Sequence, residues 1–281
     1  SLSMRLLMLP LLSLLLSACA LTSPPSAEAR PEMIYAVNDQ AELIRFNAGQ
    51  PERVLARTPL LGLPAGERLV GIDFRVARGV LYALSSSGQL YTLNTDSASL
   101  TRMGDAPPVT LQGSRFGVDF NPAADRVRVV SDQGQNLRLQ PDTGAVAAID
   151  GPLAYAPDEG AAAHKAQVSA AGYTYNPDND KLTTNYAIDL AAGTLVMQGS
   201  REGETPVVSP NTGHLRTVGS LGLGTLEDAS LDISDVRNTP LAALRTNGQT
   251  RLYVIDLSTG QAKALGTVSD GRALWGMAIA P

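Results

Sequence analysis

Gly71-Ile-Asp-Phe-Arg-Val-Ala-Arg-Gly-Val-Leu-Tyr-Ala-Leu-Ser-Ser-Ser-Gly-Gln-Leu-Tyr-Thr-Leu-Asn94 is followed, 46 positions on, by an ungapped copy of itself. The copy reads Gly117-Val-Asp-Phe-Asn-Pro-Ala-Ala-Asp-Arg-Val-Arg-Val-Val-Ser-Asp-Gln-Gly-Gln-Asn-Leu-Arg-Leu-Gln140. Repetition at such a period marks an architecture built from one supersecondary unit, and it decides the fold before any single element is assigned. Within each copy, apolar runs of four to six residues rich in Val, Ile, Leu and Tyr alternate with turn signals. Ser87-Gly88 and Gln133-Gly134 close the second run; Asp142-Thr-Gly144 closes the third. Runs of this length and composition between glycine turns read as β-strands joined by hairpins.

Further copies extend the pattern. Ile34–Asn47 matches Leu81–Asn94 at a displacement of 47. Another runs from Leu231-Asp-Ile through Asn247-Gly248 to Leu252-Tyr-Val-Ile-Asp256, and a looser one from Gly172-Tyr-Thr-Tyr through Tyr186-Ala-Ile-Asp189 to Gly193. Four strands at a period near 46 are the signature of a β-propeller blade. The first copy lacks its leading strand. The chain ends on Leu274-Trp-Gly-Met-Ala-Ile279, which has the pattern of a leading strand. A terminal strand that completes the first blade closes the ring and leaves no exposed sheet edge. The predicted fold is therefore an all-β propeller of five four-stranded blades, with leading strands near Gly71, Gly117, Gly172, Ser230 and Gly276. The count becomes six if the long irregular stretch Gly199–Leu223 forms a blade of its own.

The segment Gly117–Gly144 resembles the hallmark of a bacterial family known as domain of unknown function 4394. Thr183-Thr-Asn-Tyr-Ala-Ile-Asp189 and Tyr173-Thr-Tyr-Asn176 are similar to that family as well. The likeness spans Met33 to Pro281. It implies a propeller-like domain and brings no reaction with it.

Ahead of the repeats, Arg5 precedes the apolar run Leu6–Leu16, and Leu16-Ser17-Ala18-Cys19 follows. This order fits an export signal, and the tetrad resembles the bacterial lipoprotein signal, which implies diacylglyceryl attachment to Cys19 after cleavage. The run has about a dozen residues, short of the ~20 a membrane-spanning helix needs. The expected organisation is a signal over 1–18, lipidated Cys19 and a Pro/Ser/Ala-rich tether over 19–32, and one propeller over 33–281. Ala20, where an aspartate would signal retention at the inner membrane, points to the outer membrane, on the periplasmic or surface face. The chain is expected to be a monomer held on a membrane by its lipid.

Composition narrows the function. Loss of Arg5 with the signal takes the 22 Lys and Arg down to 21 against 27 Asp and Glu, a net charge of −6. Nucleic acid needs a basic face and is excluded as a partner. Cys19 is the single cysteine, so once acylated it leaves no thiol for disulfides, zinc–thiolate sites or a cysteine nucleophile. His164 and His214 are the two histidines and read as solvated loop residues. Ser114 lacks the G-x-S-x-G frame of a nucleophile elbow. Asn176-Pro-Asp-Asn-Asp180 lacks the glycine and closing glutamate of a calcium loop and reads as a turn.

Two constellations could carry chemistry. Asp73, Asp119 and Asp232 occupy equivalent slots in three leading strands, with Thr174 and Ala278 in that slot elsewhere. Three carboxylates around one axis could hold a hard cation such as Ca²⁺; alternatively each accepts hydrogen bonds from backbone amides of its own or the adjoining blade. In the third repeat Val80, Tyr82 and Thr92 are replaced by Arg126, Arg128 and Arg138. These arginines either form a buried charge network between blades, with Asp119, Asp125 and Asp132 as partners, or bind a carboxylate, phosphate or uronic acid bidentately. The leading functional expectation is a binding or scaffold propeller for a small-molecule or protein ligand. The alternative is a hydrolase or lyase, lactonase- or glycosidase-like, with a carboxylate-lined and Ca²⁺-dependent channel site. A single tryptophan, Trp275, leaves little aromatic surface for stacking sugars.

Overall fold

Glycine-punctuated runs with apolar side chains on both faces form strands that are buried only when a sheet is covered on each side. A ring of blades provides that cover. The computed structural model describes residues 28–162 and 164–281. Each repeat in it is an antiparallel four-stranded sheet whose strands follow one another outward from a central channel. The second blade comprises Leu69–Arg75, Val80–Ser85, Leu90–Leu93 and Leu100–Arg102, and the third Phe116–Asn121, Arg126–Ser131, Asn136–Leu139 and Val146–Ile149. The fourth is Val168–Tyr173, Asn185–Asp189, Thr194–Gln198 and His214–Ser220, with the short strand Ala154–Tyr155 added in parallel at its outer edge. The fifth is Asp228–Ile233, Pro240–Thr246, Gln249–Ile255 and Ala262–Thr267.

The first blade is shared between the chain ends. Leu274–Ile279 is its innermost strand and pairs antiparallel with Met33–Asn38, followed by Glu42–Asn47 and Ala56–Pro59. There are five blades. Gly199–Leu223 forms no sixth: it holds a loop, a short 3-10 turn at Pro210–Thr212 and the outer strand of the fourth blade. The signal over 1–18, Cys19 and most of the tether lie outside the described residues. Among the described residues, no helix is long and apolar enough to cross a membrane.

The core is divided among the interfaces between blades. Five apolar clusters account for it, each bridging two neighbours. Tyr82, Leu84 and Leu90 of the second blade pack on Val118, Phe120 and Val127 of the third. The interface between the third and fourth blades is the exception, with Val130 the only third-blade residue in its cluster. Near the axis the innermost strands approach so closely that a side chain does not fit at every position. A Cβ on Gly71 would lie 2.5 Å from Val118 Cγ2, and one on Gly117 2.7 Å from the backbone of Ala170. Three of the innermost strands also carry a β-bulge at their first turn, at Val70, Ser169 and Trp275. A bulge re-aims the extra side chain, here toward the end of the channel where the innermost strands begin.

Candidate functional site

Strand periodicity turns one side chain of each Gly-[Ile/Val]-Asp-Phe segment inward, and three of the five such slots hold aspartate. Asp73, Asp119 and Asp232 are buried, and oxygens of the three carboxylates lie within 4.8 Å of one another. One oxygen of each is tied to the next blade. Phe120 N–H donates to Asp73 Oδ2 (2.7 Å), Tyr173 N–H to Asp119 Oδ2 (2.8 Å) and Ile279 N–H to Asp232 Oδ2 (2.6 Å). The aspartates thus clasp the second blade to the third, the third to the fourth, and the fifth to the strand that closes the ring. Asp232 Oδ1 accepts a further bond from Ile233 N–H, whereas Asp119 Oδ1 is buried without a partner.

The slot in the fourth blade is held by Gly172, not Thr174. The bulge at Ser169 corresponds to that at Val70, and Gly172 pairs with Tyr186 as Asp73 pairs with Tyr82. Gly172-Tyr-Thr-Tyr imitates Gly-Ile-Asp-Phe two residues out of register. A Cβ on Gly172 would sit 3.2 Å from the side chains of Leu231 and Ile233, so a larger residue there would require these to shift. Ala278 fills the slot in the first blade, where it is fully buried.

Among the described residues no cationic side chain is ion-paired with any member of the triad. Burial, reinforced by repulsion from the neighbouring carboxylates, pushes Asp119 and Asp232 well above the ordinary range. Burial raises Asp73 to about 6, against the opposing pull of hydrogen bonds to Asp119 and to backbone amides. The triad divides the channel into two funnels. One, of about 470 Å³, opens where the innermost strands end, past Tyr173 and Tyr175 to Asp180 and Asp235 at its rim. The other, also about 470 Å³, opens where these strands begin, past Arg68, Arg115, Arg245 and Trp275.

The third-blade arginines lie away from the channel. Arg128 is 1% exposed, and its donors are directed at Tyr173 Oη (3.1 Å), Asn136 Oδ1 (2.9 Å), Asp150 Oδ2 (2.5 Å) and Asn211 Oδ1 (2.6 Å). Arg138 makes a bidentate pair with Asp150 at 2.8 and 2.9 Å. Against the cost of burial, the two guanidiniums hold the Asp150 carboxyl below its usual range. Arg126 donates only to backbone carbonyls of Asp125 and Ala124. The three aspartates expected as partners are engaged elsewhere. Asp119 holds Tyr173 N–H, Asp125 makes a bidentate pair with Arg75 of the second blade, and Asp132 accepts from Ser114. The reason is topological: the arginine face is met by the end of its own outer strand and by the fourth blade, both distant in sequence. This polar network occupies the interface whose apolar cluster is thinnest.

A family model described as Domain of unknown function (DUF4394) matches residues 42–278. The chain belongs to this family. Among curated proteins none matches the sequence. The solved structures to which the chain is similar in fold include these three. One is a chain of a nidogen/laminin complex, at 12% identity and TM-score 0.47, covering 89% of this chain and 98% of that one. Another is a putative 6-phosphogluconolactonase from Bacteroides fragilis, at 16% identity and TM-score 0.43, covering 89% and 70%. The third is a glutaminyl cyclase from Myxococcus xanthus, at 11% identity and TM-score 0.44, covering 82% and 97%.

This DUF4394 chain also contains a cluster that its sequence conceals. Asp189, at 0% exposure, accepts from Tyr155 Oη (2.6 Å) and lies 3.0 Å from His164 Nε2. His164 is therefore not a free loop residue. The loop before the fourth blade folds back over its second strand and is pinned there, with Arg216 bonded to Asp158 at 2.8 Å. The only signal in the sequence is that Asp189 stands where the second and third blades have Ser85 and Ser131. Asn176 folds its own loop, accepting from the backbone of Asp178 and Asn179 at 3.0 Å each, as a turn should.

Proposed function

We propose that this chain is a lipid-anchored envelope protein working as a binding propeller, and that it holds a hard divalent cation such as Ca²⁺ on Asp73, Asp119 and Asp232. The observation that carries the reading is the triad itself: three buried carboxylates gathered at one point of the channel, with no cationic side chain paired to them among the described residues. Calcium binds oxygens at 2.3–2.6 Å and accepts six to eight of them. Oxygens no more than 4.8 Å apart can therefore all reach one ion, with water from the funnels filling the remaining positions. The backbone clasps fix the carboxylates before any ion arrives, which lowers the ordering cost of binding. The acidic rim at Asp180 and Asp235 draws cations to that mouth.

Thermal unfolding of the purified protein with chelator, Ca²⁺, Mg²⁺ or Zn²⁺ tests the cation reading. A folded-state ligand at a hundred times its Kd adds about 2.7 kcal/mol. For a domain of this size that raises Tm by roughly 5–10 °C. Asp119→Asn, which keeps an acceptor for Tyr173 N–H, should abolish the shift. No Ca²⁺ response in the wild type would overturn the reading.

The anchor rests on Leu16-Ser17-Ala18-Cys19 behind the apolar run. Acyl chains contribute about 0.8 kcal/mol per buried CH₂, and two or more hold a protein stably on a membrane. Cys19→Ser should move the protein from the membrane pellet to the soluble fraction; unchanged partitioning would rule the lipid out.

A further inference from the structure

The funnel on the opposite side of the triad has a different chemistry. Its volume of about 470 Å³ falls in the range of small-molecule sites. Three arginines and three acids line it, and one acid, Asp39, is paired at 3.1 Å with Arg272, which does not line the funnel. Arg115 lies 3.8 Å from Asp228, and Arg245 3.4 Å from Glu227. Arg68 is left over. Its guanidinium is half-buried and donates only to the backbone carbonyls of Leu69 and Ser114, at 3.4 and 2.5 Å, with no carboxylate partner. Backbone carbonyls orient a guanidinium without neutralising it, so Arg68 is the lining arginine whose charge is not taken up by an ion pair, although Asp228 and Asp132 act on it from a distance.

Two further side chains give this space groups that an organic ligand could engage. Ser169, brought to the funnel by its bulge, is 1% exposed, and its hydroxyl has no hydrogen-bond partner. A buried hydroxyl without a partner costs free energy that a ligand hydroxyl would recover. Trp275, placed by the corresponding bulge of the first blade, brings the chain's only indole to the same wall. Aromatic walls, a guanidinium and carboxylate acceptors together suit a molecule with an anionic group, several hydroxyls and a carbon face.

We propose that this funnel binds an organic acid of monosaccharide size, with its carboxylate on Arg68, its hydroxyls on Asp228 and Ser169, and its carbon face against Trp275. The cation site is not needed for it, since the two funnels lie on opposite sides of the triad.

Trp275 is a built-in reporter. Its emission would be titrated with D-galacturonate, with D-galactose and acetate as the neutral and the minimal-anion controls, and calorimetry would run in parallel. The expected result is a saturable response to D-galacturonate and much weaker ones to both controls. Arg68→Gln should weaken binding at least about tenfold, the size of a lost hydrogen-bonded charge. Arg126→Gln, outside the funnel, should leave it unchanged. Asp228→Asn serves as the second variant should Arg68→Gln unfold. Three results would overturn the proposal: silence in both measurements, equal affinity for acetate, or undiminished binding by a folded Arg68→Gln protein.

Discussion

Replacing Asp73 by asparagine should make this protein more stable, although the residue is buried, hydrogen-bonded and central. The Phe120 N–H that now meets Asp73 Oδ2 at 2.7 Å would meet an amide oxygen instead, so the clasp between blades survives. What disappears is a charge. Burial raises the Asp73 carboxyl from an ordinary 3.8 to about 6, so the folded state holds its proton more tightly than the unfolded chain does. The stability this contributes is fully present below about pH 4 and is lost as the pH rises through 6. Two pK units at about 1.4 kcal/mol each make roughly 3 kcal/mol, which the wild type lacks at pH 7.5 and the variant would not lose. In a domain of this size that is a rise in Tm of about 6–12 °C. Differential scanning calorimetry of both proteins in chelator, from pH 4 to 8, reads the effect: a gap that opens with pH and closes near pH 4. Asp73→Ala separates charge from geometry. It strands Phe120 N–H and should fall below the asparagine variant by about 1–3 kcal/mol. An asparagine variant no more stable than the wild type at pH 7.5 would refute the reasoning, because it would mean the triad's charge is already compensated.

Arg128→Met should cost about 3–5 kcal/mol in urea unfolding, since it strands polar partners on Asn136, Asn211 and Tyr173 in a buried interface. A loss below about 1 kcal/mol would show that the network is dispensable packing. Gly71→Ala should cost about 1–3 kcal/mol by driving a methyl into Val118 Cγ2. Combining it with Val118→Ala should recover part of that loss, and strict additivity of the two would show that the strands yield elsewhere.

The fold was legible because a propeller repeats its instructions. Turn pairs such as Ser87-Gly88 and Gln133-Gly134 recur at the blade period, and the misplaced leading strand at Leu274–Ile279 betrays the closure. The aspartate slots were legible for the same reason. Register within a degenerate copy was not: Gly172-Tyr-Thr-Tyr looks like Gly-Ile-Asp-Phe, and only the bulge at Ser169 shows that Gly172 holds the slot. Partners across blades were equally hidden. Period-two reasoning puts Arg128 and Arg138 on one face, but it cannot see that Asp150 and Asn211 close over that face from a hairpin away and from the next blade. Asp125 looked like a neighbour for those arginines and belongs instead to Arg75, 50 residues earlier.

Because Leu274–Ile279 lies against Met33–Asn38 in the first blade, the polypeptide has two ends but the folded body has no seam at which it must begin. The hydrogen bonds of that pair, with Asp232 holding Ile279, do the work that a peptide bond does between the other blades. A protease that nicks an exposed loop between two blades would therefore produce two fragments still locked in one hoop. Joining the old termini and opening the chain at any such loop should yield permutants of the same shape.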